Sequence, residues 1–143
     1  MISITCSTDM SGFIAWLCTY IKKSIVNSID YSRLIRWNEY FKNSYIKWHE
    51  EKGKKHILSP YACLYLAASN LIFTKYRDRY IIEIDPSVTV PKTNIKIVSL
   101  VKLITYGTVD VPGYRLLEDV RKYYVDNIET LYNRYINGGA YVS

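Results

Sequence analysis

Ser59-Pro60-Tyr61-Ala62-Cys63-Leu64-Tyr65-Leu66-Ala67-Ala68-Ser69-Asn70-Leu71-Ile72-Phe73 is the stretch on which the fold turns. Serine followed by proline marks a helix start, because the hydroxyl caps a free N–H and proline fits the first helical position. From Tyr61 to Phe73 the chain is apolar nearly all round, which predicts a central helix buried by its neighbours. The alanines at 62, 67 and 68 allow those neighbours to approach closely.

Upstream, Ile2-Ser3-Ile4-Thr5-Cys6 alternates apolar and polar residues as a short strand does. Ser7, Thr8, Asp9 and Ser11 supply caps for a helix with Phe13, Trp16, Leu17, Tyr20, Ile21 and Ile25 on one stripe. Asn27-Ser28 breaks it. Asp30 can cap a second helix reaching about Glu51, with Leu34, Trp37, Phe41, Tyr45 and Trp48 on its inner face and Gly53 at its end.

Downstream, Tyr80-Ile81-Ile82-Glu83-Ile84-Asp85 reads as a strand stopped by Pro86. Val88-Thr89-Val90-Pro91 reads as an extended edge. Thr93 or Asn94 caps a helix through Ile104 that Gly107 stops. Thr108 to Val111 suggests another strand, closed by a Pro112-Gly113 turn. A last helix runs from about Tyr114 to Ile136, before Gly138-Gly139. No repeat or linker divides residues 1–143. The expectation is one α+β domain, predominantly helical, with about five helices and two to four short strands.

The chain has 143 residues and 49% hydrophobic content, enough for a core of its own. Its Phe13–Ile21 apolar run is shorter than the roughly 20 residues that span a bilayer, and no signal peptide pattern opens it, so a soluble chain with no membrane partner is expected. The three cysteines (Cys6, Cys18 and Cys63) form no CxxC pair, which argues against a disulfide framework and against zinc. Fifteen tyrosines stand against three phenylalanines. AT-rich codon usage raises Tyr, Ile, Asn and Lys together, while tyrosine also suits half-buried surfaces and interfaces.

Catalytic constellations are missing. His49 and His56 flank lysines without an HExxH pattern, and those lysines would repel a cation. Asp78, Glu83 and Asp85 make the best carboxylate cluster, and a strand would point Glu83 and Asp85 to one face, as a metal-dependent nuclease needs. No lysine follows them closely; salt bridging to Arg77 or Arg79 explains them more simply. No GxSxG, phosphate loop or dinucleotide fingerprint occurs. The expectation is therefore no catalytic residue, no metal, no cofactor and no small-molecule substrate.

The net charge of +6 steers a chain toward polyanions. Arg33, Arg36, Lys42, Lys47, Lys52, Lys54 and Lys55 concentrate that charge, interleaved with Tyr31, Tyr40, Tyr45 and Trp48. Cations on phosphates and aromatic faces on bases would suit single-stranded nucleic acid. Helix-turn-helix readout is a weaker fit, because the Gly107–Gly113 connection is long and the last helix carries Glu118, Asp119, Asp126 and Glu129.

The string Ile95-Lys96-Ile97-Val98-Ser99-Leu100-Val101-Lys102-Leu103-Ile104-Thr105-Tyr106-Gly107-Thr108-Val109-Asp110-Val111-Pro112-Gly113-Tyr114 resembles segments of small structural proteins of tailed bacteriophages. There a short helix ending in Tyr-Gly leads through a brief strand into a long helix. The resemblance covers about Pro91 to Ile136. It implies a virion part of the tail, portal or neck, assembled from identical copies with other proteins, in the virion or the host cytoplasm before assembly. It transfers no catalytic residue. Val88, Val90, Tyr114 and Tyr141 are the expected protein interface, the first two through edge-strand pairing. The alternative is a small nucleic-acid-binding or host-modulating protein using Arg33–Lys55.

Overall fold

A computed structural model describes residues 2–5, 9–43, 59–91 and 94–137. Among these residues the fold is α+β and mostly helical, with six α-helices and one three-stranded sheet. Strand β1 (Ile2–Thr5) is followed by helix α1 (Ser11–Asn27), a 3-10 turn (Tyr31–Leu34) and α2 (Ile35–Phe41). Then come α3 (Pro60–Ser69), β2 (Leu71–Tyr76), β3 (Arg79–Ile84), α4 (Ile97–Tyr106), α5 (Leu116–Asp126) and α6 (Ile128–Ile136).

The sheet is antiparallel in the order β1-β3-β2. Its register pairs Ile2 with Ile82 and Ile4 with Tyr80, so the alternation in β1 turns both isoleucines into the core. Ser3 and Thr5 face out. Tyr80 is buried, and its hydroxyl donates to the Asp9 carboxylate (2.8 Å) while accepting the Met10 N–H (3.2 Å). That carboxylate also accepts the Ser11 N–H at 3.0 Å, so Asp9 ties the sheet to the start of α1. Of the predicted caps, Ser7 and Thr8 lie outside the described residues.

Helix α1 buries Phe13, Ile14, Leu17, Ile21 and Ile25, each contributing about 1.5–3 kcal/mol relative to exposure. Trp16 and Tyr20 from the predicted stripe are half-buried with their rings tilted against each other, and Trp16 also meets Tyr135 of α6. Helix α3 starts as expected, with the Ser59 hydroxyl accepting the Ala62 N–H (3.0 Å) and Pro60 at the first position. It packs against α1, α2 and α4 through Cys63, Leu64, Ala67 and Ala68.

The helix does not reach Phe73. Asn70 stops it, donating through its side-chain amide to the Leu66 carbonyl (2.7 Å), and Leu71-Ile72-Phe73 enter β2 opposite β3. An apolar run suits either element, and hairpin pairing decides here. The last helix is likewise divided. At Asn127 the side-chain amide takes the Tyr123 carbonyl (2.8 Å), and the backbone (φ −111°, ψ 17°) leaves helical geometry. The predicted strand Thr108–Val111 is instead a tight turn. Thr108 donates to the Val111 carbonyl and its hydroxyl accepts the Val111 N–H, with a single bridge from Gly107 to Pro112. Gly107 does end α4, at φ 82°. That helix begins at Ile97, with Lys96 and not Asn94 at its cap position and no side-chain cap; Thr93 is outside the described residues.

Candidate functional site

Arg33, Arg36 and Lys42 are the described members of the basic stretch, and all three are exposed. Lys47, Lys52, Lys54 and Lys55 lie outside the described residues, as do Tyr45, Trp48, His49 and His56. Asp30 builds the local geometry. Its carboxylate accepts the Ser32 N–H (3.0 Å) and hydroxyl (2.6 Å), closing the 3-10 turn and holding its own pKa below the ordinary value. Leu34 and Trp37 point into the core, which turns Arg33 and Arg36 outward. The Arg33 guanidinium sits over the Tyr114 ring, 5.5 Å from its centroid, and Arg36 donates through Nη2 to the Asp110 carbonyl. Both arginines and the Pro112–Gly113–Tyr114 segment line one recess of about 250 Å³.

The two described aromatics expected between these cations, Tyr31 and Tyr40, contact other rings. Tyr31 stacks on Tyr61 (5.3 Å), which stacks on Tyr65 (6.3 Å), with Lys22 over the last ring. The Tyr31 hydroxyl bond raises the pKa of Tyr61. Tyr40 is half-buried with its ring edge-on to Trp37.

Of the expected interface residues, Val90 and Tyr114 are buried and Val88 is half-buried. Val90 is completely buried, and its N–H donates to the Ile95 carbonyl (2.8 Å). Val88 is half-buried and its carbonyl accepts the Ile97 N–H (3.0 Å), so one side of the segment is paired with the residues that lead into α4. Tyr114 precedes α5 and is buried; its hydroxyl accepts the Asp30 N–H (3.0 Å) and donates to the Ser28 carbonyl (3.2 Å). It fastens the end of α1 to the turn after α4. Tyr141 lies outside the described residues.

The carboxylates disperse as well. Asp78 occupies the β2–β3 turn, while Asp85 lies just past the far end of β3, about 20 Å along the strand. Asp85 stands one residue past the end of β3, with its N–H on the Asn70 carbonyl (2.8 Å). It accepts the Ser87 N–H (2.9 Å) and hydroxyl (2.7 Å), which hold its pKa low. Among the described residues no three His, Cys, Asp or Glu side chains converge as metal ligands. Burial pushes the Cys63 thiol up to about 12, far from a nucleophile's range.

Along β1, a groove of about 530 Å³ runs between Ser3-Ile4-Thr5 and the junction of α5 with α6, walled by Val125, Ile128 and Tyr132. Among the described residues β1 pairs only with β3, so the groove is lined by an edge strand of the sheet. The alternation of residues 2–5 was a legible signal for the strand, whereas the groove depends on the break at Asn127. Arg33 and Tyr114, 81 positions apart, meet only through tertiary packing. No family model, curated protein or solved structure matches the chain.

Proposed function

We propose that the chain is a non-enzymatic structural and interaction protein that assembles with copies of itself and with other proteins. The observation carrying this reading is that β1, an edge strand among the described residues, lines a groove whose helical wall sets Val125, Ile128 and Tyr132 beside Glu129 and Asn133. An unpaired strand edge presents backbone donors and acceptors to an extended segment, and the adjoining wall of Val125, Ile128 and Tyr132 gives that segment's side chains an apolar seat. The likeness of Ile95–Tyr114 to tailed-phage structural proteins supports a virion component of the tail, portal or neck as the setting.

Sedimentation over rising protein concentration tests the reading, with Val125→Glu as the variant. Val125 is exposed, so a carboxylate there spares the core while charging the groove. Concentration-dependent association in the parent chain that the variant loses is the expected result. A parent chain that stays monomeric and recovers no protein partner would overturn it.

A second reading, polyanion binding through Arg33–Lys55, is favoured by one observation: Arg33 and Arg36 share a recess whose other walls are Ser32, Pro112, Gly113 and Tyr114.

A further inference from the structure

We propose that this recess is an oxyanion subsite taking one phosphoryl group; the inference rests on the polyanion reading and narrows it to two arginines and a turn. Arg33 and Arg36 stand three residues apart across the junction of the 3-10 turn and α2, so both tips reach the same side. Among the described residues neither is tied up in a close ion pair, although the Arg33 charge does act on the Asp30 carboxylate. Arg36 gives one N–H to a neutral carbonyl, and Arg33 lies on a phenol ring. The guanidiniums are thereby oriented with donors to spare, which suits the forked recognition of phosphoryl oxygens.

The wall opposite them is rigid. Tyr114 is fixed by its hydroxyl and by its N–H on the Ile104 carbonyl (2.7 Å). Gly113 presses on the end of α4, where a Cβ would meet the Thr105 carbonyl oxygen at 2.3 Å. Two carboxyl-bearing residues stand near. Asp30 is turned toward the Ser32 N–H and hydroxyl, and Asp110 contributes its backbone carbonyl. Ser32, spending its hydroxyl on Asp30, serves as wall and not as donor. At about 250 Å³ the recess holds on the order of eight waters' volume, room for a tetrahedral oxyanion with its first hydration but little for a base and sugar.

The test titrates the intact chain with inorganic phosphate and, separately, with a single-stranded oligonucleotide, followed by amide NMR shifts. Arg33→Gln and Arg36→Gln are compared with Arg115→Gln, an exposed arginine over the Tyr106 ring that removes the same charge elsewhere. Thermal unfolding of each variant checks that it is folded. Phosphate should shift the Gly113 and Tyr114 amides, with affinity falling about tenfold in either recess variant and less than about twofold in Arg115→Gln. Oligonucleotide binding that falls in step identifies a phosphodiester as the source; phosphate binding without oligonucleotide binding identifies a free or terminal phosphate. Oligonucleotide binding indifferent to both arginines, or equally weakened by Arg115→Gln, overturns the subsite and leaves the polyanion reading standing. Binding of neither probe overturns both.

Discussion

Replacing Tyr114 with phenylalanine removes one oxygen and keeps the ring under Arg33, so it isolates the fastening of the α1 end to the turn after α4. Two hydrogen bonds go, one from the Asp30 N–H and one to the Ser28 carbonyl. Each such bond contributes about 0.5–1.5 kcal/mol net, which sets an upper figure near 3 kcal/mol. Ser28 and Asp30 are themselves exposed, so water can replace part of what is lost. The expected destabilisation is therefore about 1–2 kcal/mol. For a chain of this size that corresponds to a fall in Tm of roughly 3–6 °C. Urea unfolding followed by far-UV circular dichroism measures it through the midpoint, with an unchanged slope showing that the exposed surface on unfolding is the same. Tyr123→Phe is the matched control, since Tyr123 is exposed and its variant should stay within about 0.5 kcal/mol of the parent. Equal midpoints for Tyr114→Phe and Tyr123→Phe would refute the claim that this hydroxyl joins the two segments.

Two further perturbations address other parts of the fold. Gly113→Ala sets a methyl group against the backbone at Thr105 and Tyr106, which cannot yield as a side chain would, so a loss of about 3 kcal/mol is expected in the same unfolding assay. Acid unfolding should draw on Asp9, whose pKa falls from 3.8 to about 2 through the Ser11 N–H and then the Tyr80 hydroxyl. A depressed carboxylate stabilises the fold above its unfolded pKa, and that stability is lost as pH falls through the folded value. Stability should therefore drop between about pH 4 and pH 2, and Asp9→Asn should flatten that part of the profile; an unaltered slope would exclude Asp9 as a contributor.

Much of the helical framework was legible because periodicity and caps agreed. Phe13, Leu17, Ile21 and Ile25 carry their burial in their spacing, and Ser59-Pro60 announces α3 by the chemistry of its first turn. The boundary at Asn70 was hidden because Leu66 and Ile72 look alike to any test of hydrophobicity; only pairing with β3 separates helix from strand. Asn127 was hidden for a related reason, since the apolar spacing from Leu117 to Leu131 continues across a local side-chain bond that breaks the helix. At the candidate sites, Arg33 and Arg36 were recognisable as outward cations from the inward Leu34 and Trp37. The burial of Val90 and Tyr114 was not, because it is set by partners at 95, 28 and 30 and not by their neighbours in sequence.

The register of β1 has a consequence for the order in which the molecule is made. Ile2 is synthesised 80 residues before its partner Ile82, an interval of roughly 4–16 s at ordinary elongation rates. The β2–β3 hairpin closes through a two-residue turn as soon as it emerges, whereas β1 waits beside the nascent chain with Ile2 and Ile4 uncovered. The strand made first among the three is thus the one that completes the sheet, and sealing it is a late event of biogenesis.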